Sequence, residues 1–341
     1  MRRIRIAQIG TNINSHASQC FNALCAFPEL FEVVGFCVVE DEKQTCPNWR
    51  ERFGDYPELT LEQILSDESI EAVAVETDEI HLTKYALMAA DHGKHIHMEK
   101  PGSQSIADFE RLIETMRRTG KVFHTGYMYR YNPCVMELMA DVKAGKYGRI
   151  HSVEAQMDCR HNAGVREWLS NFKGGMMFFL GCHLVDLVMQ IKGKPDRIIP
   201  LNKSTGLDGA TGEDYGFAVM EYPDGVSFVK TSAVEIGGFH RRQLVVSGEL
   251  GTVELKPLEM TDVSIPSSPT VTGVRVSRDV NNWFDEGEFR YSDTFPRYEN
   301  MLRAFGEYVL GERENPYTLD YELELFKTVI ECCGGEKIQP Y

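Results

Sequence analysis

Ile4-Arg5-Ile6-Ala7-Gln8-Ile9-Gly10-Thr11-Asn12-Ile13-Asn14-Ser15 joins an apolar-rich segment to a glycine turn. An apolar-rich run, Ile4 to Ile9, stops at Gly10, and residues 18–27 then have helical character. Strand, glycine turn and helix open a βαβ unit. The alternation continues outward from there. Residues 31–39 form a second apolar run rich in β-branched side chains, and residues 70–75, 95–98 and 122–126 read as further strands. Between them, residues 61–65 give one or two helical turns with Thr60 as N-cap. Residues 81–92 carry Leu82, Tyr85, Ala86 and Ala89 on one helical stripe and end at Gly93, where a C-cap glycine belongs. Residues 106–118 are a helix ended by Gly120. Strands alternating with helices over about 120 residues predict right-handed crossovers and a doubly wound parallel sheet.

The rhythm then changes. Residues 134–144 give one more helix, 150–158 alternate like a half-buried strand, and 175–192 are helical. Strands follow at residues 215–222, 226–236, 243–247 and 252–255, the first two separated by an Asp224-Gly225 hairpin turn. Residues 261–292 read as irregular and polar, and helices at 295–310 and 321–332 close the chain. The prediction is an α/β chain: a parallel-sheet domain over residues 1–124, then an α+β domain over 125–341 with a large, mostly antiparallel open sheet, its last helices free to pack back on the first domain. No internal repeat or low-complexity tract interrupts it.

Composition narrows the function classes. The 341 residues carry 36 basic and 51 acidic side chains, a formal charge of −15, which argues against nucleic acid or an anionic membrane surface as the main partner. No apolar run reaches the ~18 residues of a membrane span. The opening Met1-Arg2-Arg3 resembles a signal n-region, but Gln8, Asn12, Asn14 and Ser15 break any apolar segment behind it. The nine cysteines are odd in number with no CxxC pair, so reduced thiols in a cytoplasm are expected, with Cys332-Cys333 as helix packing rather than a redox pair.

Three blocks add chemistry: Glu99-Lys100-Pro101 after a strand, Tyr129-Arg130-Tyr131-Asn132-Pro133, and Gly174-Gly175 with Gly181-Cys182-His183-Leu184-Val185-Asp186. Their order and spacing, behind the glycine turn, resemble the Gfo/Idh/MocA oxidoreductases over nearly the whole chain. The resemblance implies a Rossmann-like first domain that binds NAD(P), and a second domain whose open sheet supports substrate and subunit contacts. It implies a sugar, polyol or glycoside substrate and a homodimer or homotetramer formed through that sheet.

The cofactor residues implied are Gly10, Asn12, Ile13, Ser15, Glu76, His81, Glu99 and Lys100. A dinucleotide turn needs three small positions. Gly10 and Ser15 supply the first and third, but Asn12 replaces the second glycine, and its side chain occupies space where a pyrophosphate normally rests. The second strand should end in an acid for the ribose hydroxyls. The matching position is Val38, followed by Val39-Glu40-Asp41-Glu42, from which Glu40 reaches back only if the loop is shifted. A lost charge-assisted hydrogen bond there costs roughly 1.5–3 kcal/mol. These acids repel a 2′-phosphate, so NAD is favoured over NADP, with no cofactor as the alternative. Glu76-Thr77-Asp78 stands where the family has Thr-Pro-Asn. It either adds negative charge beside the pyrophosphate or points to solvent and caps the next helix.

The catalytic residues implied are Lys100, donating to the substrate oxygen, and His183, moving the hydroxyl proton. Tyr129, Arg130, Asp186 and Trp168 are implied for substrate binding, with Asp186 at i+3 from His183 able to orient its ring. Asp158, Arg160, His161 and Arg166 are further candidates for sugar contact. The family's aspartate before the histidine falls at Phe179, so the acidic member of the catalytic set is absent. His95, His97 and Glu99 alternate along one strand near Glu76 and Asp78. That set could hold a metal, but helices covering these side chains are the favoured reading, and no metal is predicted. Two functions remain: an NAD-dependent dehydrogenase with a modified pocket, or a redox-inactive sugar-binding, regulatory, lyase or hydrolase protein on the same scaffold.

Overall fold

Six residues of which five are fully buried, Ile4–Ile9, form β1, the second strand of a parallel sheet covered on both faces. A computed structural model describes residues 2–45, 50–261 and 268–337. Cys46 lies outside them; the eight described cysteines are free thiols. The chain divides into two compact units, Met1–Met128 with Tyr298–Phe326, and Tyr129–Arg297 with Lys327–Tyr341.

In the first unit the elements run β1, α1 (Ala17–Cys25), β2 (Phe31–Cys37), α2 (Glu42–Thr45), α3 (Leu61–Ser66), β3 (Ala72–Val75), α4 (Leu82–Asp91), β4 (His95–Met98), α5 (Ile106–Thr119) and β5 (Phe123–Thr125). The sheet order is β2-β1-β3-β4-β5, all parallel. The order therefore reverses between β1 and β3, which opens a crevice outside their carboxyl ends. Thr60 starts α3 with a capping box: its hydroxyl takes the Gln63 N–H at 3.1 Å while the Gln63 carboxamide takes the Thr60 N–H at 2.8 Å. A late segment, α9 (Glu299–Leu310), belongs to this unit too. Gly306 approaches so closely that a Cβ there would stand 2.4 Å from Leu30 Cδ2. The Phe305 ring stacks on His124, with centroids 5.6 Å apart.

The second unit contains α6 (Pro133–Lys143), β6 (Ile150–Asp158), α7 (Ala163–Trp168), α8 (Cys182–Lys192), β7 (Arg197–Pro200), β8 (Tyr215–Tyr222), β9 (Gly225–Ser232), β10 (Gln243–Gly248), β11 (Gly251–Leu255), β12 (Gly273–Ser277) and β13 (Glu288–Tyr291). α10 (Leu319–Cys332) ends the described helices. The eight-stranded sheet runs β13-β12-β11-β10-β6-β9-β8-β7, antiparallel except for the β6–β9 pair. Along β8, Gly216, Ala218 and Met220 are buried in alternation, the period of a one-sided sheet.

Two sequence readings need correction. The stretch 261–292 is not irregular throughout: β12 and β13 pair within it, Gly273 opposite Tyr291. All four residues of β13 are exposed at the sheet edge, and its alternation, Glu288-Phe289-Arg290-Tyr291, is only four residues long inside a polar stretch. The β8–β9 turn is centred on Pro223 and Asp224, because Tyr222 pairs directly with Gly225.

Candidate functional site

In the first unit the chemistry gathers at the carboxyl ends of β1, β3 and β4. Gly10 has φ +97°, and a Cβ there would lie 2.7 Å from the Glu76 carbonyl group and the Thr77 nitrogen. Only glycine lets the turn after β1 lie against the chain leaving β3. Asn12 is buried, and its carboxamide oxygen accepts the backbone N–H groups of Asn14 at 2.7 Å and Ser15 at 3.2 Å. Its amide nitrogen donates to Asp78 at 3.5 Å. The Ser15 hydroxyl donates to the Asn12 and Glu76 carbonyls, each at 3.2 Å, while the Ile13 side chain is exposed. The buried Glu42 carboxylate takes the Thr11 N–H at 2.8 Å, the Thr11 hydroxyl at 3.1 Å and the Val39 N–H at 3.2 Å. These are backbone donors of the kind that cradle a pyrophosphate, here held by the chain's own oxygens.

The end of β2 is shaped differently from the simple alignment. Val38 packs against the core, and Glu40, at φ +51°, brings a carboxylate to the strand end. It accepts from Lys84 Nζ at 2.6 Å and the Tyr85 hydroxyl at 2.8 Å, with His81 Nδ1 at 3.7 Å. The Lys84 bond foremost holds its carboxyl below the ordinary range.

Asp78 does cap: its carboxylate accepts the Ile80 N–H at 3.3 Å and starts the short turn Glu79–His81. Glu76 does neither of the things the sequence offered. It is fully buried, and burial pushes its carboxyl up to about 8. Burial lifts Glu79 to about 8 and Glu99 to about 7 in the same way. At neutral pH Glu76 and Glu79 are therefore mostly uncharged acids, which removes most of the repulsion toward a pyrophosphate. Lys100 follows β4, is buried, and sits with Nζ 3.4 Å from a Glu99 oxygen. His95 accepts the Val122 N–H at 3.1 Å, whereas His97 shares a 2.8 Å hydrogen bond with His124 and turns Nε2 to Glu76 at 3.5 Å.

In the second unit His183 lies in the first turn of α8, directly after a π-helical turn, Met177–Gly181. Such wide turns recur at functional sites. The His183 ring meets Tyr129 edge-on at 5.1 Å. Arg130 makes a two-pronged, buried pair with Asp186, at 3.0 and 2.9 Å, and Gln190 also donates to Asp186 at 2.8 Å. Asp186 thus anchors the Tyr129–Asn132 segment to α8. The Tyr129 hydroxyl and the Arg242 guanidinium both donate to Glu259, joined by Arg297 at 2.9 and 3.1 Å. Burial alone would raise the Glu259 carboxyl, but Arg297 and Arg242 outweigh it and hold it at about 2.

Phe179, in place of an aspartate, packs edge-on against Trp168 at 5.1 Å, with His161 at 6.2 Å. Burial pushes His161 down to about 4. Arg166 is buried and paired with Asp208. Asp158 accepts from Lys230 at 2.9 Å, and Lys230 also donates to Glu235 at 2.7 Å. Arg160 is exposed and donates to the Val234 carbonyl at 3.3 Å. Glu79, His124, Arg242, Glu259 and Arg297 escaped the sequence reading, and Glu42 entered it only as one of the acids facing a 2′-phosphate. Glu259 carried one signal, a lone acid between Leu258 and Met260.

Residues 4–127 match the oxidoreductase family with an NAD-binding Rossmann fold, and residues 135–254 match the GFO/IDH/MocA C-terminal domain. The chain belongs to the Gfo/Idh/MocA family. Among its Gfo/Idh/MocA relatives, D-xylose 1-dehydrogenase (NADP(+)) 2 of Haloferax volcanii is 26% identical over 170 residues, 49% of this chain and 51% of the relative. Inositol 2-dehydrogenase 2 of Saccharopolyspora erythraea is 28% identical over 204 residues, 57% of each chain. The match spans about half the length of such curated relatives. The solved aldose-aldose oxidoreductase of Caulobacter crescentus superimposes with a TM-score of 0.77 at 19% identity, covering 98% of both chains, a likeness of fold. Among the described residues no helix is long and apolar enough to cross a membrane.

Proposed function

We propose that this chain is an oxidoreductase acting on a hydroxyl or keto carbon of a sugar, polyol or glycoside, with NAD rather than NADP. The observation that carries the reading is Lys100, a buried lysine just past the carboxyl end of β4, on the functional edge of an open parallel sheet. The dinucleotide fits the first unit at three points. The Gly10 turn closes against Glu76–Thr77, Glu40 offers a ribose acceptor at the end of β2, and Glu76 and Glu79 are held uncharged. The backbone of Thr11–Ser15 would hold its pyrophosphate once the Asn12 carboxamide leaves the Asn14 and Ser15 N–H groups. Glu40 and Glu42 disfavour a 2′-phosphate.

A bound nicotinamide supplies the hydride acceptor or donor. Lys100 donates a hydrogen bond to the substrate oxygen, and His183 takes or returns the hydroxyl proton. Tyr129 and Arg130, fixed by Glu259 and Asp186, position the segment that meets substrate. The reading includes a cytoplasmic homodimer or homotetramer assembled through the eight-stranded sheet.

A second reading, a redox-inactive sugar-binding, regulatory, lyase or hydrolase protein, is favoured by the donors of the turn being already taken by Asn12 and Glu42. Calorimetric titration of ligand-stripped protein with NAD⁺ and NADH, with mass spectrometry of what it carries when purified, separates the two. Micromolar binding or co-purified NAD supports the oxidoreductase and leads to a sugar and glycoside screen. No binding at millimolar cofactor overturns it in favour of the second reading.

A further inference from the structure

Three side chains from three elements of the first unit converge beneath the Gly10 turn: Cys20 from α1, Glu76 just past β3 and His97 from β4. All three are fully buried, and a thiol sulfur, a carboxylate oxygen and an imidazole nitrogen lie within 4.8 Å of one another. Neither Glu76 carboxylate oxygen nor His97 Nε2 has a hydrogen-bond partner of normal geometry. Buried polar atoms left this way are costly, and His97 Nε2 lies 3.5 Å from one of the Glu76 oxygens.

We propose that Cys20, Glu76 and His97 bind a single divalent metal ion of the zinc class. The donor set is the sulfur, nitrogen and oxygen mixture that zinc takes, with one tetrahedral position left over. The charges close: a thiolate and a carboxylate against a dication leave a neutral centre, which a dry interior accepts. His97 is also held as a metal ligand is held. Its Nδ1 is engaged by His124 at 2.8 Å, and His124 is stacked on Phe305, so Nε2 is presented toward Glu76. The ion would tie α1 to β3 and β4. It would also stiffen the turn above it, because the Glu76 carbonyl accepts from Asn12 N at 3.3 Å and from the Ser15 hydroxyl. This inference does not depend on the redox reading: on binding the ion Glu76 and Cys20 release their protons, and the dication then neutralises the Glu76 charge that its proton neutralises in the metal-free chain.

The test uses the full chain. After purification, elemental mass spectrometry should find one zinc per chain, and chelator-stripped protein should take up one equivalent of cobalt(II) with a thiolate-to-cobalt charge-transfer band. Cys20→Ser should abolish the band. Glu76→Gln and His124→Gln should each weaken cobalt binding by roughly tenfold to a hundredfold. X-ray absorption of the zinc-loaded wild type should show one sulfur among nitrogen and oxygen neighbours, a readout that no variant's folding affects. A shell without sulfur, no uptake by the folded wild type, or cobalt binding unchanged in Cys20→Ser and Glu76→Gln would overturn the proposal.

Discussion

Glu42 reaches across 31 residues of sequence to take the Thr11 backbone N–H at 2.8 Å, fastening the turn after β1 to the loop after β2. Asn12 completes the closure by folding its carboxamide over Asn14 and Ser15. Two of the three occupied backbone donors of the turn are thus held by one rotatable side chain, Asn12, and the third, the Thr11 N–H, by Glu42. Asn12→Gly removes that side chain and restores two backbone donors. NADH should bind about tenfold more tightly, the worth of roughly one hydrogen bond. Calorimetry reading equal or weaker affinity would show that Asn12 is not the barrier.

Lys100→Met and His183→Asn should each lower kcat on a turned-over sugar by at least roughly a hundredfold, the usual weight of a proton-moving or polarising group. His183→Asn should leave NADH affinity within a factor of about two, since its role is toward the substrate proton. Steady-state kinetics with full activity in either variant would remove that residue from the mechanism.

Glu259 gives the fold a defined acid limit. Its carboxyl titrates at about 2 in the folded chain, below the ~4.3 of an unfolded glutamate. The stabilisation is complete above the unfolded value and is lost as pH falls toward the folded one. Between pH ~5 and ~1 this group should take away about 3 kcal/mol of stability. Urea unfolding in Glu259→Gln should show a lower stability at neutral pH and a flatter decline across that window. An unchanged slope would mean that Arg242 and Arg297 do not hold the carboxylate as described.

Gly10→Ala should destabilise the chain by about 3 kcal/mol or more. The new methyl meets backbone atoms at 2.7 Å, and φ is +97°, so neither a side-chain shift nor an ordinary conformation relieves it. Chemical denaturation measures this directly, and a loss under about 1 kcal/mol would show that the turn can relax.

Much of the first unit was legible because its strands are largely buried, so β1 stands out as an apolar-rich run and β3 as an unbroken one, while Thr60 and Gly120 mark the ends of α3 and α5. The edge strand β13 left no such trace, since every one of its side chains faces water. Lys100 and His183 were found through short motifs that carry them. The cluster around Glu259 was hidden because its arginines lie 17 and 38 residues away and its tyrosine 130, separations that only the folded sheet brings together. The fate of Glu76 was equally hidden: a carboxyl after a strand reads as a solvent group, and only the packing of α1 over it makes it a buried acid.

The membership of α9 in the first unit has a consequence for biosynthesis. A ribosome that has delivered β1 through β5 has not delivered Phe305, which stacks on His124, nor Gly306, which seats against Leu30 and Phe31. Domains commonly fold in the order in which they emerge. Here the amino-terminal unit must wait for part of its packing, the contacts of α9 with His124 and Leu30, until the chain has passed Tyr298. A nascent chain arrested before that point is the species that holdase chaperones should capture, and release should coincide with the emergence of α9.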